Sequence, residues 1–189
     1  MRRLPLLTLT SLLVATAALA QAPMSAPEGS TPARRVLGGH VVDCAEHGAW
    51  TPPAGWTATS SGGVVLALAP DGSTAIARVR ARPRLRDDER FLAQATAAIT
   101  SLTGGTPVLG AIVAVDHGRW RRDRTVEGTV ALGGITVRVW AHATRTEAFW
   151  VGVHRDGDAA ARAEIEAASA SWLMLTDHAC VCGYDCDHR

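Results

Sequence analysis

The stretch that decides the fold runs from Thr125 to Ala143, T-V-E-G-T-V-A-L-G-G-I-T-V-R-V-W-A-H-A. Gly133-Gly134 is a two-residue turn whose positive φ angles suit a right-twisted hairpin. Folding the chain there sets Leu132 opposite Ile135, Val130 opposite Val137, Thr129 opposite Arg138 and Glu127 opposite Trp140. In the first three pairs apolar meets apolar and polar meets polar, so pattern and turn agree on one register.

Working outward, Ala148 lies in a further run, Glu147 to Val153, that extends the antiparallel set, and Val108 to Val115 reads as a strand before it. Val64 to Leu68, bounded by Gly62-Gly63 and Pro70-Asp71-Gly72, is a buried strand running into a tight turn. On its return arm Ala75, Ala77, Val79 and Ala81 alternate with Ile76, Arg78, Arg80 and Arg82. Between these groups the period becomes helical. Phe91, Leu92, Ala95, Ala98, Ile99 and Leu102 share one stripe, which Asp87 or Asp88 can cap and Gly104-Gly105 can end. A second stripe starts near Asp158 and joins Ala161, Ile165, Ala168, Trp172 and Leu175. The order is strand, strand, helix, four strands, helix, which predicts an α+β domain with a largely antiparallel sheet of about six strands and two main helices packed on it.

Composition sets the class. The chain has 189 residues, 47% hydrophobic and 20% charged, as an ordinary globular protein has. All 19 basic residues are arginine, and 18 carboxylates bring the formal charge to +1, which gives no global field for nucleic acid. Arg2-Arg3, the apolar run Leu6 to Ala17 and the A-x-A motif Ala18-Leu19-Ala20 read as a secretory signal peptide over 1–20, too short to span a bilayer. Residues 21–35, rich in alanine, proline, serine and glycine, are expected to form a flexible leader. A single domain over 36–175 follows, then a tail at 176–189. The expected location is periplasmic or secreted, with no transmembrane span.

The Trp50-Thr51-Pro52-Pro53-Ala54-Gly55-Trp56 segment, the strand ending in Pro70-Asp71-Gly72, the helix with Phe91 and the last helix closing on Ala170-Ser171-Trp172 together resemble the PsbP-like family. That family includes small exported bacterial proteins of the DcrB type. The resemblance covers roughly residues 50–175. It implies an α/β/α sandwich serving as a binding or accessory module without catalysis, and it brings no catalytic residue or cofactor with it.

Cys44, Cys180, Cys182 and Cys186 depart from that pattern. Four cysteines in a chain sent to an oxidising compartment favour disulfides. A Cys180–Cys182 bond would close a strained ring, so Cys44 is expected to pair with one of those two and Cys186 with the other. The alternative is an envelope metal site for zinc or copper built from His178, Cys180, Cys182, Cys186 and His188, with His40 and His47 as further donors. Its C-x-C-x3-C spacing matches no zinc ribbon or finger.

Catalysis has no motif behind it: His117, His142 and His154 accompany no nucleophile elbow, zincin helix or phosphate loop. Arg138, Trp140 and His142 share a strand face opposite Glu127, a patch able to take an anionic or aromatic ligand but more commonly a mixed surface. Arg78, Arg80 and Arg82 must share a face, forming a ridge that solubilises an edge strand or meets a partner protein of the envelope. Trp50 and Trp120 are expected in loops, and Trp120 among arginines is a further contact candidate. Trp56, Trp140, Trp150 and Trp172 are expected to fill a core otherwise built from alanine and valine.

Overall fold

The computed structural model describes residues 24–26, 28–33, 39–43, 48–117 and 122–174. Their strands are β1 (Thr31–Pro32), β2 (Val41–Asp43), β3 (Gly48–Trp50), β4 (Thr57–Ser61), β5 (Val64–Leu68), β6 (Ala75–Arg80), β7 (Val108–Leu109), β8 (Val113–Asp116), β9 (Arg122–Leu132), β10 (Ile135–Ala143), β11 (Ala148–Arg155) and β12 (Leu173–Met174). The helices are α1 (Asp88–Thr103) and α2 (Ala159–Ala170). Nine strands form one antiparallel sheet in the order β1-β4-β5-β6-β11-β10-β9-β7, with β8 also on β9, and a three-stranded sheet runs β12-β3-β2. The α+β sandwich expected from the sequence is therefore present, with more strands than six.

The central hairpin keeps the register that its turn dictates: Leu132 pairs with Ile135, Val130 with Val137, Thr129 with Arg138 and Glu127 with Trp140. Gly133 and Gly134 stand at φ 54° and 90°, where a side chain would be strained. Helix α1 begins at its Asp87 cap, whose carboxylate accepts the Arg90 N–H at 2.8 Å, and ends at a left-handed Gly104. Asp158 caps α2 by accepting the Ala161 N–H at 2.9 Å.

Alternate residues of each central strand feed two different cores. Val126, Val130, Val137, Val139, Phe149 and Val151 point toward α1 and pack with Phe91, Ala95, Ile99 and Leu102. Trp140, Trp150, Ile76, Val65 and Ala67 point the other way, toward Ile165 and Ala168 of α2 and toward Val41 and Trp50 of the small sheet. The result is three layers, with the sheet buried on both sides.

Four expectations need correction. Trp50 is not in a loop: it lies in β3, is fully buried and meets Trp150 edge-on at 5.2 Å. Val108 to Val115 is two short strands rather than one, both paired with β9. The leader is not wholly free, since Thr31–Pro32 pair with β4 and Met24 N–H donates to Gly72 O at 3.0 Å. β6 is not an edge strand: β5 and β11 flank it, so its arginine face is covered for most of its length.

Candidate functional site

Two regions of the described surface present chemistry. The first is a cleft of about 410 Å³ where the far end of the β9–β11 sheet meets the start of α2. Strand alternation places Glu127, Arg138, Trp140 and His154 on the α2 side, with Trp140 level with Glu127 on one neighbour and Arg138 level with His154 on the other. Asp156, Gly157 and Asp158 then turn the chain into α2, which adds Ala159 and Arg162 to the same wall.

The charged groups of the cleft are paired among themselves. Arg138 Nε donates to Asp156 at 2.8 Å, and Arg162 donates to Glu127 at 3.0 Å and, within its own helix, to Glu166 at 2.8 Å. These side chains are 46% to 56% exposed, so the pairs are accessible and contribute little to stability. The hydrogen bond from Arg138, then its charge, holds the Asp156 carboxyl below its ordinary value, and Asp156 raises Arg138 by the same two causes. Arg162 is raised chiefly by its hydrogen bonds to Glu166 and Glu127.

Two groups of the cleft are buried. His154 is only 4% exposed, and its Nδ1 donates to the Arg155 carbonyl at 2.8 Å. Trp140 is buried too, with its indole nitrogen lying over Gly152 and unpartnered among the described residues. A Cβ at Gly152 would overlap that nitrogen and stand 2.9 Å from Ile165 Cγ2, so a glycine is required for the indole to lie flat on β11.

The second region is the open edge of the large sheet. β7 and β8 lie end to end along β9, with Gly110 N–H donating to Glu127 O at 2.8 Å between them. Val108, Val113 and Val115 are 75%, 66% and 50% exposed there. The opposite edge ends in the two-residue β1, whose Pro32 has no N–H to offer.

The residues picked from sequence are distributed unevenly. Arg138 and Trp140 do line one site, joined by the expected Glu127, but His142 faces Thr125 and Trp150 in register and is not part of the cleft wall. The arginine ridge does not form. Arg78 is 3% exposed and lies inside, its guanidinium 5.1 Å from the Trp150 ring centre and 4.4 Å from that of Trp172, whereas Arg80 and Arg82 are exposed. The cause is the second layer: α2 and the small sheet cover the middle of β6, and an inward arginine is accommodated by stacking on two indoles. Trp56, Trp140 and Trp150 are buried in the core as expected, with Trp172 partly so. Trp120, Cys44, Cys180, Cys182, Cys186, His178, His188 and His47 lie outside the described residues. Among the described residues no group of three or more His, Cys, Asp or Glu side chains is placed to hold a metal ion, and no helix is long and apolar enough to cross a membrane.

Sequence reasoning missed His154, Asp156 and Arg162 as members of one site. The available signal was Asp156-Gly157-Asp158, a turn followed by a helix cap directly after a strand, which returns the chain over the end of that strand.

No protein-family model matches the chain, and no curated protein does. Among solved structures it is similar to the solution structure of cyanobacterial PsbP (CyanoP) from Synechocystis sp. PCC 6803, at 12% identity and a TM-score of 0.49, over 80% of this chain and 98% of that one. A likeness of that size carries no conclusion about this chain, and neither the cleft nor the edge rests on it.

Proposed function

We propose that the chain is an exported binding module, an accessory protein of the bacterial cell envelope in the manner of the small DcrB-type proteins, which holds a protein partner and performs no turnover. One observation carries this reading: the open edge of the sheet exposes Val108, Val113 and Val115, with no proline within β7 or β8 and Asp116, at the end of β8 and paired with Arg122, as their single charge. Every second residue of such a strand aims its backbone N–H and C=O away from the sheet, and an extended segment of a partner can pair with that row while covering the valines. Arg80 and Arg82 are the remaining exposed members of the arginine group and are proposed as peripheral contacts. Export is supported by the Arg2-Arg3, Leu6 to Ala17 and Ala18-Leu19-Ala20 sequence.

The test is site-specific photocrosslinking in envelope preparations, with the photoreactive residue at Val115. A discrete adduct is expected, and Val113→Lys, which places a charge on the edge, is expected to cut its yield at least tenfold with the circular dichroism unchanged. An adduct whose yield ignores Val113→Lys, or no adduct at all, overturns the reading.

The disulfide clip belongs to the same proposal. β2 and β12 flank β3 and run in the same direction, and Asp43 and Met174 both stand level with Gly48. Two strand spacings separate them, about 10 Å. Cys44 is the next residue after Asp43, and Cys180 follows Met174 by six residues, which extend up to about 20 Å. That placement favours Cys44 pairing with Cys180 or Cys182, with Cys186 taking the other. Protein prepared without reductant is expected to titrate no free thiol. Four free thiols with near-stoichiometric zinc or copper would replace the clip with the metal site of His178, Cys180, Cys182, Cys186 and His188.

A further inference from the structure

The cleft beside α2 does not depend on the open edge and offers a different kind of chemistry. We infer that it binds a small zwitterion of the α-amino-acid class, taking the carboxylate at a guanidinium and the ammonium at a carboxylate and at His154 Nε2.

Size limits the occupant first. A space of about 410 Å³ holds a small molecule and not a folded partner. Charge narrows it further. Two guanidiniums, Arg138 and Arg162, face two carboxylates, Asp156 and Glu127, in pairs of 2.8 and 3.0 Å. These four carry no net charge, and the third carboxylate of the wall, Asp158, is engaged in capping α2, so a simple anion or cation would pair with one group and strand another. A ligand holding both signs on neighbouring atoms satisfies both members of a pair at once. Arg and carboxylate recognise each other by paired N–H to O bonds, and an α-amino acid presents the complementary set. Because the existing pairs are about half exposed, exchanging them for ligand costs little.

His154 supplies the second, independent observation. With Nδ1 donating to the Arg155 carbonyl, Nε2 of the neutral ring is an acceptor. The ring is 96% buried, lines the cleft and has no partner for Nε2 among the described residues. A ring acceptor that opens onto a cleft can take a donor such as an ammonium N–H. Ala159, the first residue of α2, lies in the same wall. Trp140 leaves an apolar wall for the ligand's side chain.

The probes are L-leucine, L-leucyl-L-leucine, acetate and N-acetyl-leucine amide, titrated into the full chain and followed by amide and imidazole NMR shifts. L-leucine is expected to shift His154, Gly157 and the Trp140 indole. Acetate and the blocked amide are expected to do so at least tenfold more weakly. The dipeptide, whose charges stand farther apart, is expected to fall between them. Arg138→Gln and Asp156→Asn, both at exposed positions, are each expected to weaken L-leucine at least tenfold, and Arg80→Gln to leave it unchanged. Absence of shifts with L-leucine at millimolar concentration, equal binding of acetate, or binding unaffected by either cleft variant overturns the inference. Val113→Lys should not alter these titrations, nor Arg138→Gln the crosslink at Val115, so the two proposals fail separately.

Discussion

The face of the large sheet under α1 and the face under α2 come from the same strands, residue by alternate residue, yet they are different materials. Under α1 the packing is aliphatic with one aromatic pair, Phe91 and Phe149, edge to face at 6.1 Å. Its polar rim includes the start of the helix, where buried Arg124 donates to Asp88 at 2.8 Å. Under α2 the packing is indole, with Trp50, Trp150 and Trp172 in successive edge contacts, a buried guanidinium at Arg78 and a buried imidazole at His154. The α1 face is a stabilising core, whereas the α2 face combines a core with the groups that can meet a ligand. Polar groups inside a low-dielectric layer are costly unless paired, so their concentration on one face points to use there.

The sharpest way to break this contrast is to truncate each face in turn. Phe91→Ala removes a fully buried ring from the α1 core and is expected to cost about 3–5 kcal/mol by denaturant unfolding, with no effect on ligand shifts in the protein that remains folded. If Phe91→Ala instead altered the L-leucine response at His154, the division of labour between the faces would fail. Gly152→Ala sits on the other side and adds an atom where the Trp140 indole lies. It is expected to cost about 1–3 kcal/mol and to weaken L-leucine binding as the indole is displaced into the cleft wall. A stability loss without any change in binding would make Trp140 a filler alone.

How much of this contrast is legible in sequence depends on the length of each element. The hairpin of β9 and β10 is readable because Gly133-Gly134 fixes the register and ten or so alternating residues on each arm confirm it. Helix α1 is readable from its stripe and its two caps. β4 is not, since T-A-T-S-S puts only Ala58 among the buried residues and looks like a loop. β2, β3 and β12 have two or three residues each, too few to show a period, so the small sheet that buries Trp50 is invisible until the chain is folded. The fate of Arg78 follows from that gap: period two assigns it to a face, but only the small sheet and α2 decide that the face is covered. The cleft was half visible. Arg138 and Trp140 share a strand, while His154, Asp156 and Arg162 come from the next strand, turn and helix, and proximity of that kind is a property of topology.

The smallest effect is the most specific to the cleft. Asp156 is held below its ordinary carboxyl value of 3.8, first by the hydrogen bond from Arg138 and then by that residue's charge. A carboxyl depressed in the folded state adds stability above its unfolded value and loses that addition as pH falls through the folded midpoint. The pair is therefore intact at neutral pH and fades only in acid below 3.8. Arg138→Gln should move the Asp156 midpoint, followed by carboxyl carbon NMR, upward toward 3.8 while leaving unfolding at pH 7 nearly unchanged, because the pair is exposed to water. A midpoint that stayed low in Arg138→Gln would mean that other groups, such as the Gly157 backbone N–H, hold the carboxylate. Asp156 would then be fixed in its turn and not free to exchange Arg138 for a ligand's ammonium. This measurement thus separates a surface ion pair from a ligand-ready one without needing any ligand.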